Sequence, residues 1–109
     1  MIAYQGQIEK QELGNGVILK DLGAGLNLNV LYWKVRDQNF LPPHQHPEEQ
    51  FGYVIKGGFE ITIDGESFII KAGDAYFIPP HAVHSLRALG ETEVIDAFSP
   101  VKTDMPWKK

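Results

Sequence analysis

Along most of the chain apolar and polar residues alternate at period two, in short runs divided by glycine, proline, acidic and amide residues, a pattern that predicts strands rather than helices. In Gly58-Phe59-Glu60-Ile61-Thr62-Ile63, the residues Phe59, Ile61 and Ile63 share one face. Asp64-Gly65 then supplies two positions that tolerate positive φ, and Glu66-Ser67-Phe68-Ile69-Ile70 returns as the second arm of a hairpin. Further strands are predicted over residues 16–20, 26–35, 39–46, 50–56, 75–78, 84–88 and 92–98. Almost nothing carries a helical period. Short strands between Gly/Pro turns predict an all-β antiparallel sandwich or barrel, whose interior can enclose a ligand cavity. With no repeat, low-complexity tract or linker, residues 1–109 read as one domain, and residues 100–109 as a tail lying across the barrel with Trp107 available to anchor it.

Composition narrows the picture. A chain of 109 residues with 43% hydrophobic content is enough for one core. A formal charge of −4 offers no basic patch for a phosphate backbone, so nucleic acid is not an expected partner. There is no cysteine, so any metal must take nitrogen and oxygen ligands. Residues 1–14 lack the basic-then-apolar order of a secretion signal, and no stretch approaches the ~20 apolar residues of a membrane span. A soluble, cytoplasmic protein without membrane contact is expected.

Three of the four histidines are spaced for metal chemistry. Residues two apart on an extended strand share a face, so His44 and His46 can aim two imidazoles at one point. Pro47-Glu48-Glu49 should turn the chain, after which Gln50 can offer its carboxamide oxygen, and His84 arrives from a separate strand after Pro79-Pro80. Glu49 is the alternative to Gln50, although a shift of one residue reverses the face. Imidazoles with one oxygen ligand suit a single divalent transition ion: iron, manganese, nickel, copper or zinc. His81, alone, reads as a surface or core residue.

Two blocks resemble the motifs of the cupin superfamily. His44-Gln45-His46-Pro47-Glu48-Glu49-Gln50, followed by Gly57, resembles the first motif; Gly73, Pro79 and His84 resemble the second. Together they span residues 38–57 and 73–88. The resemblance implies a single-domain cupin β-barrel, a double-stranded β-helix or jelly roll, and, as in other small cupins, a homodimer, for which the N-terminal residues 1–13 could cover a neighbour's strand edge. Gln38 and His81 stand where glycine is usual, Ala88 where asparagine is usual, and Gln50 where the usual ligand is glutamate. With an amide in place of that carboxylate the full +2 charge stays on the ion and its water, which favours an anionic substrate.

At the far end, Asp96 and Phe98 share a face near the end of an otherwise apolar strand, where a carboxylate is costly unless used or paired with a backbone N–H or with Arg87. The segment from Asp96 to Asp104 resembles the C-terminal signature of KdgF-type cupins of pectin and alginate breakdown, which ketonise 4,5-unsaturated uronates to linear keto sugars and also use glutamine as fourth ligand. That resemblance implies Asp96 as acid/base, Phe98 lining the sugar pocket, and Lys102 where the family has arginine. Arg87 joins Phe98 and Lys102 as a candidate substrate-binding residue. Lysine offers a point charge where arginine would clamp a carboxylate bidentately. The function implied is a metal-dependent isomerase or lyase-type step on a small anionic sugar acid. An Fe(II)-dependent dioxygenase and a non-catalytic barrel binding a sugar or small effector are the alternatives.

Overall fold

The computed structural model describes residues 1–104; residues 105–109, with the expected anchor Trp107, lie outside the described residues. The elements are β1 (Lys10–Gly14), β2 (Val17–Ala24), β3 (Asn29–Val35), β4 (Phe40–His44), β5 (Glu49–Lys56), β6 (Gly58–Ile63), β7 (Glu66–Lys71), β8 (Ala75–Ile78), β9 (His84–Ala88) and β10 (Thr92–Ser99), preceded by a short 3-10 turn at Gln5–Gln7. No helix of the described residues is long and apolar enough to cross a membrane. The strands make two antiparallel sheets, in the orders β1-β2-β3-β10-β5-β8 and β4-β9-β6-β7. This is the all-β antiparallel architecture expected from the alternation and the jelly roll implied by the resemblance, with its barrel built as two sheets rather than one closed one.

Period-two patterning assigns the inner face. In β10 the buried residues are Thr92, Val94, Asp96 and Phe98, with each intervening residue half-buried. In β9 they are His84, Leu86 and Ala88. Val54, Ile61, Ile78, Leu86 and Val94 meet in the main core, while Leu19, Leu31 and Phe98 form a second cluster nearer the long sheet's far side. Each such side chain contributes about 1.5–3 kcal/mol of burial. The hairpin of β6 and β7 closes as expected, Ile63 pairing Glu66, with φ of 48° at Asp64 and 83° at Gly65.

Residues 10–14 add a strand that the alternation does not predict, pairing with β2 of the same chain through a turn at Asn15 and Gly16, and this strand is the outermost of its sheet. Lys10-Gln11-Glu12-Leu13 carries one apolar residue, which is too little for a period-two signal. The strand expected from residue 26 begins at Asn29, because Gly25 N–H donates to the Leu28 carbonyl at 2.7 Å and closes a loop first.

Two departures from the motif pattern have a backbone meaning. Gln38 and His81, where glycine is usual, both hold φ of 65°. The left-handed conformation is adopted although the residue has a side chain where glycine would have none, at a cost on the order of 1 kcal/mol each.

One close approach places a functional side chain. Asp96, Gly52 and Tyr76 lie side by side on β10, β5 and β8. A Cβ on Gly52 would stand 2.0 Å from Cζ of Tyr76, so the ring crosses β5 only because no side chain is there. Gly52→Ala should therefore displace Tyr76 and destabilise the fold by about 1–3 kcal/mol. A denaturant midpoint equal to that of the native protein would contradict this packing.

Candidate metal centre

His44 ends β4 and His84 opens β9, directly opposite each other in the ladder. His46 follows in the link that carries the chain across to β5 in the other sheet, where Gln50 is the second residue. Each ring has its Nδ1 against a backbone carbonyl: His44 on Pro42 at 3.0 Å, His46 on Glu48 at 2.9 Å, His84 on Ala82 at 2.8 Å. A carbonyl only accepts, so Nδ1 carries the proton and Nε2 is left as a lone pair on every ring. One nitrogen from each of the three rings lies within 4.8 Å of the others. His84 is 1% exposed and its Nε2 has no hydrogen-bond partner among the described residues. Burial pushes its pKa down to about 4 against the pull of the Ala82 carbonyl, with His44 and His46 adding to the fall. The ring is thus held in the neutral form that a metal requires.

Gln50 brings an amide oxygen to the same rings. Its Oε1 lies 3.1 Å from Nε2 of His46, and its amide N–H donates to Oδ1 of Asp96 at 3.0 Å. With Nδ1 of His46 already protonated, two acceptors face each other across that 3.1 Å. That contact, and the orphaned Nε2 of His84, are both relieved by one shared cation. The residues therefore fit a divalent ion bound by three imidazoles and an amide oxygen. Glu49 is exposed, on the opposite side of β5 from Gln50.

Asp96 is 5% exposed. Its partner is neither a backbone N–H nor Arg87: Tyr76 Oη donates to Oδ1 at 2.6 Å, beside the bond from Gln50. Burial raises the carboxyl to about 6, and the two hydrogen bonds pull the other way. Tyr76, raised well above its ordinary value by burial and then by Asp96, stays a donor. The alternation of β9 sends Arg87 away from His84, Leu86 and Ala88, to stack over Phe40 at 4.7 Å. Arg87 is not brought to the cavity. Tyr76 is the residue that the sequence reading missed; the available signal was a tyrosine sharing a face with Ile78, whose hydroxyl needs a partner once buried.

His44, His46, Gln50, Tyr76 and Asp96 open onto a cavity of about 580 Å³, a size suited to a small molecule. Phe98 forms part of its wall, edge-on to His46 with centroids 5.7 Å apart. Lys102 stands at the same cavity, its backbone N–H donating to Oδ1 of buried Asn29 at 2.8 Å. The structure thus gathers the four candidate ligands with Asp96, Phe98 and Lys102.

Comparison with known proteins bears on the family and the fold. A family described as "Cupin domain" matches residues 33–98. The chain is 35% identical over 96 residues to the pectin degradation protein KdgF of Dickeya dadantii (strain 3937), covering 86% of this chain and 87% of that protein. The solved structure of KdgF from Halomonas sp. superposes with a TM-score of 0.90 at 32% identity, covering 96% of this chain and 97% of that one. An RmlC-like cupin from Shewanella frigidimarina NCIMB 400 gives 0.89 at 29% identity, covering 94% and 93%.

Proposed function

The chain belongs to the cupin family, and from that premise we propose that it is a metal-dependent enzyme that ketonises a 4,5-unsaturated uronate, or a closely related sugar acid, to its linear keto form. The observation that carries this reading is the bridge at Gln50, whose oxygen faces His46 while its amide N–H holds Asp96 at the same cavity. An ion site alone would not single out proton transfer. An ion site joined by one side chain to a buried carboxyl does. Likeness to a protein named for pectin degradation, and to a second KdgF, supports a sugar acid as substrate.

A bound divalent ion would supply Lewis acidity toward the carboxylate and ring oxygens of the substrate. His44, His46, Gln50 and His84 would hold it. The rest of the chemistry belongs to side chains. Lys102 offers a positive charge to the uronate carboxylate, and Phe98 gives the ring an apolar wall. Both protein hydrogen bonds to Asp96 end on Oδ1, which leaves Oδ2 to exchange a proton with the substrate. Asp96 delivers its proton to the alkene carbon next to the developing ketone, and water adds at the carbon bearing the ring oxygen, giving one proton back to the Asp96 carboxylate. The hemiketal then opens to the ketone and a hydrated aldehyde, which releases the water. Tyr76 holds the carboxyl in position throughout.

The test is an assay of chelated protein, and of protein reconstituted with nickel, zinc, manganese or Fe(II), on an unsaturated uronate. Loss of the enol absorbance and appearance of the keto product by NMR are expected only with metal. No product with any ion would overturn the reading; oxygen consumption with Fe(II) would replace it by a dioxygenase.

A further inference from the structure

Three imidazoles and an amide bring no negative charge to a divalent ion, yet a carboxylate stands directly behind one of the rings. The side chain of Glu48, two residues beyond His46, is 13% exposed, and its Oε1 lies 3.5 Å from Nδ1 of His46. That oxygen is closed off from solvent and has no hydrogen-bond partner among the described residues. The Nδ1 proton is already directed at the backbone carbonyl of the same residue, at 2.9 Å, so the carboxylate faces the ring without a full bond of its own. Glu49, its neighbour, is exposed and solvated.

A buried carboxylate with an unpartnered oxygen is destabilising unless positive charge lies near it. A cation bound on the Nε2 side of His46 would supply that charge. We infer that Glu48 is a positioning and charge-compensating residue, which polarises His46 through its Nδ1–H and supplies from behind the ring the negative charge that the direct ligands lack. Carboxylates placed behind metal-bound histidines fix the tautomer and raise the basicity of the ligand nitrogen. Substitution of glutamine for the usual glutamate ligand then does not leave the centre uncompensated; it moves the compensating charge away from the cavity, where an anionic substrate must enter. The inference rests on the metal reading above.

The experiment uses Glu48→Gln, which keeps the shape and removes the charge, with Glu49→Gln as the same change in net charge on the exposed neighbour. Zinc and nickel affinities are measured by chelator competition, and thermal stability is measured on the metal-free proteins. The expected result is affinity lower by about 10–100-fold for Glu48→Gln alone, with metal-free stability unchanged or higher because an unpartnered buried charge is gone. Affinity within about threefold of native, well short of the loss such partners cause, would overturn the inference. So would an equal loss in Glu49→Gln, or a fall in metal-free stability alongside the loss of affinity, since that pair of results marks a structural role. Native protein that takes up neither ion would overturn the metal reading itself, a result distinct from the other three.

Discussion

Asp96→Asn is expected to keep the metal and to lower turnover of an unsaturated uronate by about 10²–10⁴-fold, the usual contribution of one positioned acid/base group. The change is small in shape. An asparagine oxygen can still accept from Tyr76 and from Gln50, which now meet the carboxylate at 2.6 and 3.0 Å, so the cavity wall should be preserved. What is lost is the exchangeable proton. Burial has raised that carboxyl to about 6, closer to neutrality than an ordinary aspartate, which suits a group that must both give and recover a proton. Elemental analysis of the purified variant and steady-state kinetics on the reconstituted protein measure the two halves separately. Full activity in the variant would remove Asp96 from the mechanism; loss of metal with the activity would make it part of the ion's support instead.

Much of this site was legible along the chain, and the part that was not has a physical reason. His44, His46 and Gln50 fall within seven consecutive residues, where strand geometry and one turn decide what meets what. The hairpin of β6 and β7 is equally local, since Asp64-Gly65 carries its own turn chemistry. Tyr76 was not legible, because its contact with Asp96 passes over Gly52 on an intervening strand, and strand order in a sheet is not written in any one segment. Arg87 carries a charge that suits an anionic substrate, but its side of β9 follows from the inward position of His84. Glu48 and Glu49 are indistinguishable by residue type; only the fold turns one toward His46 and leaves the other in solvent. Gln38 and His81 mark the opposite case, in which motif positions occupied by unusual residues still adopt the φ of 65° that the motif's glycines would have taken.

Gln50→Glu separates the two jobs that one amide performs. The new carboxylate would restore the ligand usual in the resembling motif and add a negative charge beside the ion, so metal affinity should be equal or higher. It would also stand where the Gln50 amide now donates to Asp96 at 3.0 Å. Two carboxylates at that distance do not both ionise; they share a proton, and the pair titrates as a unit. The proton that Asp96 must pass to substrate is then held between the two side chains, and the added charge repels the uronate as well. Turnover should fall on the order of 10²-fold while the metal stays. Weaker metal binding in this variant would mean that the Gln50 oxygen does not face the ion. A native rate would mean that its bond to Asp96 plays no part in the chemistry. Glutamine answers both demands because it is neutral and has two ends: an oxygen that can accept a cation, and an N–H that can hold a carboxyl without competing for its proton.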